Sequence, residues 1–144
     1  MNTNTIYNED CTVTMENMED NFIDLTVTSP PYDEIRDYHG YFFDFEHIAK
    51  ELFRVTKQGG VVVWVVGDSI INGSESGTSF KQALYFKEVG FNIHDTMIYQ
   101  KTGIPFPSTK EAARYHQIFE YMFVLSKGKP KTFKFIIHSI LNFA

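Results

Sequence analysis

The chain has 144 residues, 43% of them hydrophobic and 22% charged, which suits one compact core and excludes both two ordinary domains and a disordered reading. Its single cysteine, Cys11, excludes an intramolecular disulfide and a multi-thiolate metal site; with no stretch patterned as a signal peptide or membrane span, a cytoplasmic setting is expected. The net charge of −5 conceals an asymmetry, since residues 1–100 carry 6 basic and 16 acidic side chains and residues 101–144 carry 7 and 2, so the last third suits either a polyanion or plain solvation.

Ile6 and Tyr7 suggest a short strand, and the β-branched run Ile23 to Thr28 a better one. That strand must stop at Ser29-Pro30-Pro31, because neither proline can donate a ladder hydrogen bond. Phe45, Ile48, Ala49, Leu52 and Phe53 recur at helical spacing and predict a helix with one buried face, stopped by Gly59-Gly60. Val61 to Val66 reads VVVWVV, a continuous apolar run that suits a strand covered on both sides, closed by Gly67-Asp68. Gly73 to Thr78 reads as a loop, and Ser79 as the cap of a helix reaching about Val89. Phe91 to Lys101 and Ile118 to Leu125 predict two more strands around a long exposed excursion, GIPFPSTKEAARYHQ. Strands and helices in alternation imply an α/β sandwich whose ligands gather at the carboxyl ends of the strands.

Ser29-Pro30-Pro31-Tyr32 sits at such an end. On its own the string is open to a structural reading, a diproline loop with a tyrosine packed over it. It also resembles the catalytic tetrapeptide of amino-type DNA methyltransferases. In the same order, IYNEDCTVTMENMEDNFIDLTVTSPPYDEI, GGVVVWVVGD, GFNIHDTMIYQK and RYHQIFEYMFVLSKGKP resemble that family over about residues 5 to 132. The resemblance implies a partial Rossmann-like α/β sheet, mostly parallel with an antiparallel C-terminal hairpin and flanked by helices. Residues 1–132 would be the catalytic part, with 133–144 a divergent apolar tail.

The implied activity is methylation of an exocyclic amine, cytosine N4 or adenine N6, in double-stranded DNA with S-adenosylmethionine, in a bacterial or phage modification system. The serine at position 29 leans toward cytosine. Such an amine is a poor nucleophile, because its lone pair is delocalised into the ring. Acceptors around the NH₂ group, here the Ser29 side chain and the Pro30 carbonyl, would favour a pyramidal nitrogen aimed at the methyl group. Pro30 and Pro31 stiffen the turn, and Tyr32 would stack on the flipped base. No metal is required. Asp10 and Cys11 would lie near the cofactor's adenosine; the competing reading makes Asp10 a helix cap and Cys11 a small buried filler.

The basic excursion, with Lys101, Lys110, Arg114, Tyr115 and His116, is expected to face DNA, flanked by Lys127 and Lys129; a solvated loop is the alternative. His39, His47, His94, His116 and His138 show no ligand spacing, and Asp33, Glu34 and Asp37 read as a solvated acidic loop. The family's later cofactor segment, a strand end followed by Gly-x-Gly, has no counterpart, since the GSESG of Gly73 to Gly77 reads as a plain loop. The expectation is therefore a truncated chain with an incomplete cofactor pocket. Exposed apolar surface should then favour self-association or a complementary cofactor-binding chain. The other functions weighed are a non-catalytic DNA-binding remnant or half of a split enzyme, and a methyltransferase acting on RNA or protein glutamine.

Overall fold

In a computed structural model that describes residues 4–31, 43–102, 115 and 117–131, a four-stranded sheet carries helices on one face. Strand β1 is Ile23–Thr28, the span read from the sequence, and it ends before the two prolines. Helix α2, Phe45–Val55, returns the chain to β2, Thr56–Val66, which pairs with β1 in parallel: Leu25 opposite Val61, Thr28 opposite Trp64. Asp44 opens α2 by accepting from the His47 amide at 3.1 Å, and Ile48, Ala49, Leu52 and Val55 form its buried stripe.

The glycine pair does not stop this helix. α2 ends at Val55, where the Thr56 hydroxyl donates to the Leu52 carbonyl at 2.6 Å, and β2 has begun before Gly59 is reached. The glycines serve the sheet instead. Gly59, at φ +84°, donates its amide to the Lys127 carbonyl at 2.7 Å, and a Cβ on Gly60 would lie 2.8 Å from the Thr56 methyl and 3.1 Å from the Asp24 carbonyl.

Helix α3, Thr78–Val89, leads into β5, Asn92–Gln100, and the chain returns in β6, Phe119–Ser126. The strand order is β1-β2-β6-β5, so β1, β2 and β5 run one way and β6 lies antiparallel between β2 and β5. This is the expected α/β arrangement, three strands sharing a direction and an antiparallel hairpin to close. Val62, Trp64 and Val66 point to the helices and are at most 1% exposed, whereas Val61, Val63 and Val65 on the reverse face are only partly covered. Beside them on that face Leu25 is 59% and Val27 is 66% exposed. Among the described residues the apolar run is thus covered on one side, not on both as its composition predicts, because α2 and α3 pack on a single face.

Three local readings also change. Ile6 and Tyr7 form no strand; the chain bends at Glu9 before α1 begins. The 73–78 loop is partly a tight hairpin, β3 Ile70–Ile71 against β4 Ser74–Glu75, turning on Asn72 and Gly73 at φ 50° and 79°. Ser79 is not the cap of α3: it lies in the first turn, buried, and the cap is Asp68 from the loop after β2. The Asp68 carboxylate accepts the Ser79 amide at 2.9 Å, the Ser79 hydroxyl on its other oxygen, and the Ser76 hydroxyl at 3.1 Å. Gly77 at the helix start has no side chain to offer.

Beneath the sheet end, Trp64, Phe45, Phe86 and Phe91 pack in edge-on and tilted contacts with ring centroids 5.0–5.9 Å apart. The buried Trp64 indole N–H is satisfied by the Gln82 side chain at 2.9 Å. No helix among the described residues is long and apolar enough to cross a membrane.

Candidate functional site

Because β1 and β2 are parallel, their carboxyl ends open on the same rim of the sheet, and Ser29, Pro30 and Pro31 stand on that rim. Ser29 is exposed, Pro30 buried and Pro31 half-buried, so the serine hydroxyl is presented by a turn whose base is fixed. All three line a pocket of about 480 Å³. Thr26 and Thr28 continue the same wall down β1, Ile48, Leu52 and Val55 form the α2 side, and Phe43 and Trp64 add aromatic surface. The lining is mainly apolar with a few hydroxyls, and the volume falls within the roughly 300–1,000 Å³ usual for small-molecule sites.

The remaining wall is the amino-terminal segment and helix α1, Cys11–Glu16. Arg54 of α2 fastens this segment. Its guanidinium donates to the Met15 and Met18 carbonyls at 2.7 and 2.8 Å, to Asp20 at 2.7 Å and to Glu51 at 2.6 Å. Those bonds hold the Glu51 carboxyl below the usual carboxylate range, Arg54 being the largest cause, and raise the guanidinium's own affinity for its proton. The Lys127 ammonium closes the other side of the α2 carboxyl end, donating to the Phe53 carbonyl at 2.7 Å and to Asn21 at 3.0 Å, 4.6 Å from the Phe53 ring centre. Desolvation lowers its proton affinity, and this lysine, read as flanking a DNA-facing loop, is engaged in the fold.

The two acidic and thiol residues expected beside a cofactor part company. Asp10 caps α1, its Oδ1 accepting the Thr12 amide at 2.8 Å and the Thr12 hydroxyl at 2.6 Å, and it is not part of the pocket wall. Cys11 does line the pocket; it is exposed and is no buried filler, and partial desolvation followed by the charge of Asp10 raises its thiol above its ordinary value. Two wall residues that motif reading missed are Tyr7 and Glu9. No motif in the sequence marks them: residues 7, 9 and 11 line the pocket and 8 and 10 do not, in a segment that bends at Glu9 and enters α1 at Cys11.

Tyr32, Lys110, Arg114 and His116 lie outside the described residues, as do the 133–144 tail, Asp33, Glu34 and Asp37. Tyr115 is fully exposed. Lys101 pairs with the buried Glu120 at 2.6 Å, so its charge is offset within the hairpin. Gln100 is opposite Phe119, and Tyr121 opposite Val66, so the excursion leaves and re-enters the sheet at the end where Ser29 stands. His47 of α2 contacts Glu16 of α1 at 3.2 Å, and His94 lies 3.7 Å from its chain neighbour Asp95 within β5, both at the surface.

Known proteins share this arrangement. A family model described as DNA methylase matches residues 23–142. The orphan methyltransferase M.BamHII of Bacillus amyloliquefaciens is 68% identical over 117 residues, 81% of this chain and 43% of that protein. The type II beta methyltransferase M.BslI of Bacillus sp. (strain NEB-606) is 28% identical over 142 residues, covering 82% of this chain and 16% of its own length. This chain therefore spans less than half the length of the curated relatives it matches. Among solved structures, the cytosine-N4-specific PvuII DNA methyltransferase aligns with a TM-score of 0.71 at 22% identity, over 87% of this chain and 50% of that one. TTHA0409 of Thermus thermophilus, complexed with S-adenosyl-L-methionine, aligns with a TM-score of 0.64 at 22% identity, over 88% of this chain and 55% of that one. At such identity these two likenesses carry the fold.

Proposed function

Since the chain belongs to the DNA methylase family, we propose that it forms the catalytic part of an enzyme that transfers a methyl group from S-adenosylmethionine to an exocyclic amine of a base in DNA. One observation carries this reading: Ser29-Pro30-Pro31 stands at the carboxyl end of a parallel strand, on the wall of a pocket of about 480 Å³. The Ser29 hydroxyl oxygen and the Pro30 carbonyl would accept the amine hydrogens and leave the nitrogen lone pair free. The prolines fix where those acceptors point before a base arrives. Tyr32, next in the chain, would supply an aromatic face to a base taken out of the duplex.

The pocket suits a nucleoside, with apolar walls for a flat ring and hydroxyls at Thr14, Thr26 and Thr28. When bound, S-adenosylmethionine supplies the electrophilic methyl on its sulfonium. Cytosine N4 is the favoured target, because Ser29 leads the tetrapeptide. The modification would act on cytoplasmic DNA of a bacterium or phage-infected cell. Lys110 and Arg114, on the excursion that leaves the same sheet end, would neutralise phosphates beside Tyr115 and His116. Reversing both charges is expected to weaken DNA binding and flatten its salt dependence by about two units of slope, read from titrations at several salt concentrations.

Incubating the chain with methyl-labelled cofactor and bacterial DNA tests the reading, and digestion to nucleosides separates N4-methylcytosine from N6-methyladenine. A second reading, half of a two-part enzyme, is favoured by the chain's 43% share of M.BamHII. Adding the remainder of that relative as a separate polypeptide distinguishes the two. Label from this chain alone supports a self-sufficient enzyme, label only from the mixture supports the split form, and no label from either counts against methyl transfer.

A further inference from the structure

We propose that Ile71, beside the turn of the β3–β4 hairpin, is a wedge that enters the duplex where the target base leaves it. The inference rests on the functional reading above and names a positioning residue outside the pocket. A base that reaches Ser29 from a duplex leaves a gap in the stack, and an apolar side chain in that gap offsets part of the cost of opening it. The hairpin stands where such a gap would form. Thr28 is opposite Trp64 in the parallel pair, so Ser29 and Val66 reach one rim, and the hairpin rises from the segment that follows Val66. In the strand order β1-β2-β6-β5, the end of β2 lies one strand spacing, about 5 Å, from the end of β1 that leads to Ser29. A duplex that delivers a base to Ser29 lies over this rim.

The hairpin is fixed at its root. The Ser76 amide donates to the Ser69 carbonyl at 2.9 Å, and the Ser76 hydroxyl donates at 3.1 Å to Asp68, the buried carboxylate that also caps α3. Two extended residues beyond that root carry the turn at Asn72 and Gly73 outward by about 7 Å. Ile70 and Ile71 are 55% and 56% exposed, apolar surface that the fold leaves in solvent. Charge chooses between them. Ile70 is paired with Glu75 and Ile71 with Ser74, and the two pairs take opposite faces of the ribbon. The phosphates of a duplex repel the face that carries Glu75 and tolerate the uncharged face of Ile71 and Ser74.

The test compares methyl transfer to bacterial DNA as duplex and as heat-denatured single strands. It uses whichever form transfers label, the chain alone or mixed with the remainder of M.BamHII. A single strand has no stack to open, so the ratio of the two rates reads the wedge. Ile71→Ser is expected to lower the duplex-to-single-strand ratio about tenfold and Ile71→Leu to retain most of it, each with an unchanged melting temperature. Ile70→Ser should leave the ratio within about twofold of the parent, as a surface change away from the contact does. The salt slope of duplex binding should be the same in Ile71→Ser as in the parent, because an isoleucine neutralises no phosphate. An equal loss on both substrates, an unchanged ratio in Ile71→Ser, a loss confined to Ile70→Ser or an altered salt slope would each overturn the assignment. Absence of label from the parent in either form counts against the functional reading and removes the wedge with it, a different result from transfer whose ratio is indifferent to Ile71.

Discussion

Ser29 shows how little side-chain chemistry the proposed reaction asks of the protein. Its hydroxyl is exposed at the pocket wall while the proline behind it is buried, so Ser29→Ala removes an acceptor without disturbing the core. Methyl transfer should fall about 100-fold with an unchanged melting temperature, in line with losing one preorganised polar group at a reacting centre. Single-turnover rates check this, and a rate within twofold of the parent would remove Ser29 from the chemistry. The neighbouring Asp10 shows the limit of motif reading at this scale: cap and cofactor ligand are both chemically apt, and only the direction of the side chain decides between them.

Glu51 and Arg54 give a residue-scale prediction about pH. Arg54 holds the Glu51 carboxyl below its ordinary range, so the folded-state value lies under the unfolded one. Its contribution is therefore complete above the unfolded value, about 4.3, and is lost as pH falls through that value and the folded one. Glu51→Gln should flatten the acid limb of stability, measured as urea midpoints between about pH 5 and 3. A limb as steep as the parent's would place the acid sensitivity elsewhere. Removing Arg54 itself leaves Glu51 and two carbonyls short of a partner and should cost about 3 kcal/mol, the upper range for charged hydrogen bonds.

Single elements were legible where their determinants are local. β1 ends where two prolines forbid a ladder, and the apolar stripe of α2 appears at helical spacing. The hairpin at Asn72-Gly73 was missed, because its polar neighbours read as a loop, although that dipeptide at positive φ is the usual two-residue turn. The cap of α3 was not legible from the helix's own residues, because Asp68 acts across 11 positions of sequence. Asp68→Ala should destabilise the chain by about 2 kcal/mol, the top of the range for a lost cap, because it also strands the buried Ser79 hydroxyl. Chemical denaturation measures this; a loss below about 0.5 kcal/mol would mean that another group takes over the helix end.

Across the whole molecule, the helices cover one face of the sheet among the described residues and leave Leu25 and Val27 more than half exposed on the other. An apolar strip of this kind beside an open strand edge favours association. Light scattering should show a mass above that of a monomer at micromolar concentration, reduced by the paired change Leu25→Lys and Val27→Lys. A monodisperse monomer would count against association through this face.

What the sequence determined alone was whatever depends on neighbours along the chain: the alternation of strands and helices and the stop of β1 at Ser29-Pro30-Pro31. Tertiary structure decided what depends on direction and on distant partners. It turned Glu9 into the pocket and Asp10 onto a helix, engaged Lys127 and Lys101 in ion and carbonyl pairs, and left half of a valine-rich strand only partly covered. The physical reason is the same in each case: composition sets which interactions a side chain can make, and the packing around it sets which one it does make.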